Sequence, residues 1–264
     1  MTSDTWVNNC YENHDRQAAW CGLVVIESES YYLFISNEVA SRLHDAEGAR
    51  EFETCLRGLA TTGFARESLN AILTAEIPEE RSWAVGEALA EAYLENNLNI
   101  MWPWNTERDK RTPKASLPGA DLIGFEVNDG VTRLVLGEVK TSSDVRTPPN
   151  VMNGRGGMAH QIDKLGKNLG LVCQILKWLL PRCKGTGNEE YFNAAVTLFL
   201  ESGNKAVALF GILIRDTQPN ELDLKTRGQS FAEILQEPTT CQLLAIYLPC
   251  TIEDLPRLVT GGAT

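Results

Sequence analysis

Residues 118–143 read PGADLIGFEVNDGVTRLVLGEVKTSS, and this stretch predicts a β-hairpin at the centre of the fold. Two apolar-rich segments, Asp121–Val127 and Thr132–Lys140, flank the dipeptide Asp129-Gly130. Asp-Gly is a favoured pair for a two-residue hairpin turn, because both central residues need a positive φ. The turn therefore sets the register in which the two strands pair.

Two carboxylates and an ammonium group converge on one face of this hairpin. In the register set by the turn, Asp121 lies directly opposite Glu138, and Lys140 shares the face of Glu138 two residues further on. Leu134 and Leu136 occupy that face before the charges begin. Opposed like charges destabilise a sheet, so this departure from the core pattern points to function. A divalent cation would relieve the repulsion, and Mg²⁺ is typically held by one or two carboxylates plus waters.

The composition is that of an ordinary globular chain, and its 264 residues suffice for a large core. No apolar run reaches the roughly 18 residues that a membrane helix needs. The N-terminus lacks a basic start followed by an apolar run. Seven cysteines without a CxxC pair argue against a disulfide framework or a structural zinc site. We therefore expect a cytoplasmic protein with no membrane contact.

The net charge of −11 disfavours tight binding of nucleic acid by this chain alone, because such affinity comes largely from phosphate neutralisation. The charge is uneven, however. Residues 108–167 contain ten Lys and Arg against seven Asp and Glu, so the segment around the hairpin is the basic part of an acidic protein. A chance fluctuation would also explain so small an excess. If the substrate is nucleic acid, we expect another subunit to help hold it.

The order of elements predicts an α/β (α+β) fold with a mixed central sheet flanked by helices. Residues 1–76 are expected to form an N-terminal extension, a candidate docking region for a partner, and residues 77–264 the main domain. Within the extension, CGLVVI and YYLFI at residues 20–36 predict a second hairpin, followed by helices.

A helix is predicted from about Pro78 to Asn96, with Glu87 and Glu91 on one side of it. Two interpretations remain open for these acids. Glu87 reaches the charged patch of the hairpin, or both side chains are simply solvated.

The segment after the hairpin is rich in Pro, Gly and Asn, which predicts an irregular and mobile loop. A long helix is then predicted from about Gly157 to Cys183, with Gln161 in its first turn and His160 beside it. The apolar run at residues 205–214 predicts a strand covered on both faces.

The order helix, strand, strand with Asp, strand with Glu-x-Lys, helix, strand resembles the PD-(D/E)xK nuclease superfamily, which has the restriction-endonuclease-like fold. The signature of that family corresponds here to GAD at 119–121 and GEVK at 137–140, although Pro118 stands three residues before the aspartate. The helix GEALAEAYL resembles the first helix of the family, whose glutamate often completes the metal site. That glutamate corresponds to Glu87.

The resemblance implies metal-dependent hydrolysis of DNA phosphodiesters by Mg²⁺ or Mn²⁺. The implied metal ligands, the last of them direct or through water, are Asp121, Glu138, the Val139 carbonyl and Glu87. Lys140 would orient the attacking water or stabilise charge on the phosphate, and Gln161 would assist. Because general-base action needs a neutral lysine, the electrostatic role is the better assignment for Lys140.

The whole chain further resembles the HamA family, the nuclease subunits of the Hachiman anti-phage defence systems. The resemblance implies an effector that acts with a superfamily 2 helicase subunit, HamB, and the acidic charge agrees with such a partner. Two alternatives remain open. One is a non-catalytic adaptor that keeps the nuclease fold and regulates a helicase. The other is a stand-alone endonuclease, for which a more basic surface would be expected.

Overall fold

The structure is a computed structural model, and it describes residues 6–74, 81–105, 109 and 119–260. It confirms an α/β protein with a mixed seven-stranded sheet flanked by helices. Within those described ranges, no helix is long and apolar enough to cross a membrane. The predicted helix start at Pro78, the boundary at residue 76 and Pro118 lie outside the described residues.

The sheet places parallel strands at its centre and antiparallel strands at both edges. Its strands are β1 (Val7–Asp15), β2 (Ala18–Val25), β3 (Ile100–Met101), β4 (Leu122–Asn128), β5 (Val131–Ser142), β6 (Val207–Arg215) and β7 (Thr240–Tyr247). Their order across the sheet is β1-β2-β7-β6-β5-β4-β3. The pairs β2–β7, β7–β6 and β6–β5 are parallel, and the remaining pairs are antiparallel. The N-terminal hairpin therefore belongs to the same sheet as the strand that carries Glu138.

The helices of the described chain fall before β3, between β5 and β6, and around β7. They are α1 (Glu29–Leu33), α2 (Ala40–Leu43), α3 (Ala46–Leu59), α4 (Gly63–Thr74), α5 (Ser82–Leu98), α6 (Met158–Lys167), α7 (Leu169–Cys183), α8 (Glu189–Glu201), α9 (Lys225–Ile234) and α10 (Leu255–Val259). A π-helical segment, Phe34–Val39, joins α1 to α2.

The central hairpin forms as predicted. Asp129 and Gly130 both have positive φ, 49° and 76°, as a two-residue hairpin turn requires. Leu122 pairs with Gly137, which is the register that the turn position predicts. The buried strand predicted at residues 205–214 is also present as β6, and every residue of it is buried.

The second predicted hairpin is wrong, because only its first strand exists. Residues 29–39 are helical, and β2 instead pairs with β1. The Ser28 side chain accepts the Tyr31 N–H and so starts a helix, and Tyr31 and Ile35 bury one face at a spacing of four residues. The β-branched and aromatic residues of this segment favoured a strand, although their buried positions recur at the spacing of a helix.

The predicted continuous helix over residues 157–183 is also wrong in one respect. It divides at Asn168, whose backbone leaves the helical region and whose side chain accepts the Leu171 N–H as the cap of α7. Asn is a weak helix former and a strong capping residue, so the break follows from its side chain. Gln161 remains in the first turn of the first helix, α6.

Two glycines show which helices cover each face of the sheet at β5 and β6. A Cβ on Gly211 would lie 2.5 Å from Ile162 Cδ1, so α6 packs on the face toward which Gly211 points. Gly211 pairs with Glu138, and paired residues share a face. A Cβ on Gly86 would lie 2.4 Å from Thr141 Oγ1, and Thr141 points to the opposite face. Helix α5 thus covers one face, and α6 covers the face with Glu138.

The close approach of α5 to β5 predicts the effect of adding one methyl group. Gly86→Ala is expected to lower the free energy of unfolding by about 1–3 kcal/mol, because the new Cβ overlaps Thr141. Gly58→Ala in α3 is the matched control, since a Cβ there meets no atom of the described chain within 4 Å. The free energy of unfolding of the control, measured in urea, should equal that of wild type or exceed it by up to about 1 kcal/mol. Equal midpoints for Gly86→Ala and wild type would contradict this packing.

Candidate active site

Asp121 stands where the ladder between β4 and β5 ends. Its N–H donates to the Gly137 carbonyl at 3.0 Å, and its carboxylate Oδ2 accepts the Val139 N–H at 2.9 Å. The side chain of Asp121 thus takes the place of the next backbone acceptor in the ladder. This bond fixes the carboxylate against β5, beside Glu138.

Glu138 and Lys140 lie next to it on the face covered by α6. Glu138 is 5% exposed, and its Oε1 lies 2.5 Å from the Nζ of Lys140, whose side chain is 23% exposed. The Asp121 carboxylate lies close enough to Glu138 to raise its pKa. The structure therefore brings together the three side chains that the hairpin register predicts.

The pKa of Glu138 is raised to about 7, mainly by burial and next by the nearby Asp121 carboxylate, while the Lys140 ammonium opposes both effects. The Glu138 carboxyl group therefore holds a proton near neutral pH when no cation lies beside it. A site that binds a proton in this way also favours a metal cation.

The Val139 carbonyl points to the same edge of β5 as its N–H, because both groups of one strand residue face the same side. That N–H meets Asp121, so the carbonyl points toward the place where β4 begins. Two carboxylates and one carbonyl form an all-oxygen donor set. Such a set fits Mg²⁺ or Mn²⁺ completed by water.

Glu87 lies on α5, which packs on the opposite face of the sheet at Gly86 and Thr141. It is half-buried, and it shares a helical stripe with Glu91. Glu91 is only 2% exposed and interacts with Arg42, so solvation is the wrong interpretation for that residue.

Within residues 6–74, 81–105, 109 and 119–260, no three His, Cys, Asp or Glu side chains are grouped closely enough to hold a metal ion. Glu87 therefore does not complete a three-carboxylate cluster with Asp121 and Glu138. A role for Glu87 in metal binding, directly or through water, stays a prediction.

Gln161 is half-buried in the first turn of α6, between two residues that pack on the sheet beside Glu138. Those residues are Met158 and Ile162, which both lie over Gly211. The helix is thus positioned over the site, as the resemblance implies. His160 is exposed, and a contribution of Gln161 to the chemistry stays a prediction.

A buried ion pair at the end of the neighbouring strand was not predicted from the sequence. Arg215 and Asp223 are 1% and 0% exposed, with Nη1 and Oδ1 2.6 Å apart. Tyr247 donates to the other carboxylate oxygen of Asp223 at 2.9 Å. The signal that could have revealed this pair is a charged residue directly after the apolar run of β6.

Comparisons with protein-family models, with curated proteins and with solved structures gave no significant match. The functional assignment therefore depends on the geometry of the site and on the sequence motifs.

The raised pKa of Glu138 predicts a specific dependence of stability on pH. Without metal, its protonated form stabilises the fold fully below about pH 4.5, and this contribution is lost as pH rises through about 7. Glu138→Gln should therefore match wild type near pH 5 and exceed it by about 1–3 kcal/mol at pH 8.

Urea unfolding in EDTA buffer at both pH values measures this difference. The control is Glu190→Gln on the exposed surface of α8, which should leave the pH dependence unchanged. A Glu138→Gln variant less stable than wild type at pH 8 would contradict the assignment.

Proposed function

We propose that this chain is a metal-dependent DNA nuclease that hydrolyses phosphodiester bonds, and that it is the effector subunit of an anti-phage defence complex. The observation that carries the proposal is the convergence of Asp121, Glu138 and Lys140 at the end of one hairpin. The restriction-endonuclease-like fold is part of the proposal. A mixed sheet between α5 and α6, with the site on β4 and β5, supports it.

Each residue has a role that follows from its position. Asp121 and Glu138, with the Val139 carbonyl, would hold the cation where β4 begins. A bound Mg²⁺ or Mn²⁺ would supply polarisation of the phosphate and a lowered pKa of water. The Lys140 ammonium is partly exposed, and it stabilises negative charge that develops on the scissile phosphate. Burial of Glu138 keeps competing water from its carboxylate.

The negative net charge of the chain supports a role for a second subunit in DNA binding. With a net charge of −11, few phosphate contacts are available for autonomous binding. The resemblance to the HamA family names a superfamily 2 helicase as that subunit, and we propose a helicase partner on this basis.

A non-catalytic adaptor that regulates a helicase is the competing proposal. The absence of a three-carboxylate cluster from the described residues favours it. The close carboxyl pair of half-buried Asp121 and buried Glu138 argues against it, because an adaptor has no need of opposed carboxylates on a strand. Metal binding separates the two.

Cleavage of DNA tests the catalytic proposal directly. Purified chain, with and without its helicase partner, is expected to nick or degrade plasmid and linear DNA in Mg²⁺ and to stop in EDTA. Lys140→Ala should lower the rate by at least about 100-fold, because it removes charge stabilisation at the phosphate. Lys184→Ala, an exposed lysine after α7, is the charge-matched control and should cleave normally. Full activity of Lys140→Ala would show that the assignment is wrong.

Titration with Mn²⁺ separates a nuclease from an adaptor. Wild type is expected to bind Mn²⁺ at millimolar or lower concentration, more weakly below pH 7, because the cation displaces a proton from Glu138. Asp121→Asn and Glu138→Gln should each lose this binding. Lys140→Ala should retain it while it loses cleavage, since Lys140 is not a ligand. Calorimetry that detects no Mn²⁺ bound to wild type would favour the adaptor.

A further inference from the structure

The segment 143–150, which directly follows the Glu-x-Lys strand, is held in one shape by its own hydrogen bonds. The Asp144 carboxylate accepts the N–H groups of Arg146 and Asn150 at 3.1 and 3.0 Å. The Ser142 hydroxyl accepts the Asp144 N–H at 3.2 Å. Ser142 is buried on the same face as Lys140, so the segment is tied to the strand two residues beyond the site.

The buried guanidinium group of Arg215 donates hydrogen bonds to the backbone of this segment. Arg215 pairs with Ser142 in the β5–β6 register and donates to the carbonyl groups of Asp144 and Arg146. Asp223 accepts a hydrogen bond from Arg215, and the nearby Thr147 hydroxyl group helps to lower the pKa that burial of Asp223 raises. The guanidinium group therefore holds the segment at two backbone carbonyl groups, two residues apart.

The side chains between these anchors project into solvent. Val145 is 87% exposed, and the Arg146 side chain is 68% exposed. Asp144 and Asn150 orient the Arg146 guanidinium through its Nε at 3.2 Å and its Nη1 at 3.1 Å. The segment thus presents one oriented cation directly after the strand that carries Glu138 and Lys140.

A full charge buried in the sheet carries a large desolvation penalty, and only well-placed partners offset it. A hydrophobic pair would fill the positions of Arg215 and Asp223 without that penalty. The pair is explained if its donors are needed to hold carbonyl groups that no apolar side chain can hold. The held backbone is that of Arg146 and its neighbours.

We propose that Arg146 binds a backbone phosphate of the DNA strand that is cut, and that Arg215, with Asp223, is the positioning residue that holds Arg146 in place for this contact. The proposal rests on the proposed nuclease function for its substrate. It adds a contact residue and a positioning pair outside the Asp121, Glu138 and Lys140 set.

Binding of a fluorescently labelled 30-nucleotide DNA, single-stranded and duplex, tests the contact in EDTA, where no cleavage occurs. Arg146→Gln is expected to weaken binding by about three- to tenfold and to lower the slope of log K against log salt by about one. Arg57→Gln in α3 is the matched control, because Arg57 is also exposed and oriented by an acid and an amide, Glu53 and Asn70. Its affinity and salt slope should equal those of wild type.

A double-mutant cycle tests the positioning role. Arg215→Met with Asp223→Leu removes both buried charges together, so no unpaired charge remains in the core. This variant should bind DNA as weakly as Arg146→Gln, and adding Arg146→Gln to it should change affinity by less than about twofold. Its Mn²⁺ affinity should stay at the wild-type value, which a merely collapsed structure would not allow. In cleavage, KM should rise and kcat should stay within about twofold.

Thr147→Val provides a milder variant if the double variant fails to fold, because it removes only a hydroxyl group that lies near Asp223 and lowers its pKa. It should weaken binding in the same direction with an unchanged kcat. If wild type cleaves DNA and Arg146→Gln binds DNA with the wild-type affinity, this inference is overturned and the nuclease function is not. An equal effect of Arg146→Gln in both backgrounds would overturn the positioning role. A wild type that never cleaves would overturn the nuclease function, while the binding experiments still decide the contact.

Discussion

The hydrogen bond from the Val139 N–H to the Asp121 carboxylate is the interaction on which the site depends. It lies at the end of the β4–β5 ladder, where a backbone carbonyl would otherwise accept. By replacing that carbonyl, the side chain of Asp121 ends the pairing of β4 with β5. The same bond places Asp121 close to Glu138, and the Val139 carbonyl faces the place where β4 begins. The Asp121 carboxylate thus both ends the strand pairing and forms part of the candidate active site.

The central hairpin was predictable because a two-residue turn leaves little freedom. Asp129 and Gly130 set the register, and the register sets which side chains are opposed, so the neighbours of Glu138 follow from the sequence. The N-terminal region was not predictable in the same way. Residues 31–35 carry strand-forming side chains at a spacing that also suits a helix, and Ser28 caps the helix that they form. Local composition alone did not distinguish the two.

Contacts between residues distant in sequence are the part that pattern reasoning could not supply. Arg215 and Asp223 are separated by a polar segment, and their partners lie near residue 145, about 70 positions earlier. Only the parallel pairing of β5 with β6 brings these segments together. The loop after β5 was expected to be irregular and mobile from its Pro, Gly and Asn content. It is irregular, and that content gave no indication of the hydrogen bonds that residues 143–150 make to Arg215 and among themselves.

Two charged pairs stand at the ends of adjacent parallel strands, and their different environments indicate different roles. The pair of Arg215 with Asp223 is closed to solvent, and Asp223 accepts hydrogen bonds from Arg215 and Tyr247. Burial raises the pKa of Asp223 above its ordinary value, and both partners oppose that rise. The pair of Lys140 with Glu138 is open on one side, and burial together with the Asp121 carboxylate raises the pKa of Glu138 to about 7. Neither pair fully compensates the lost hydration, so the two differ in access rather than in compensation. The closed pair holds backbone carbonyl groups, whereas the open pair can receive a cation, as the proposed metal-dependent site requires.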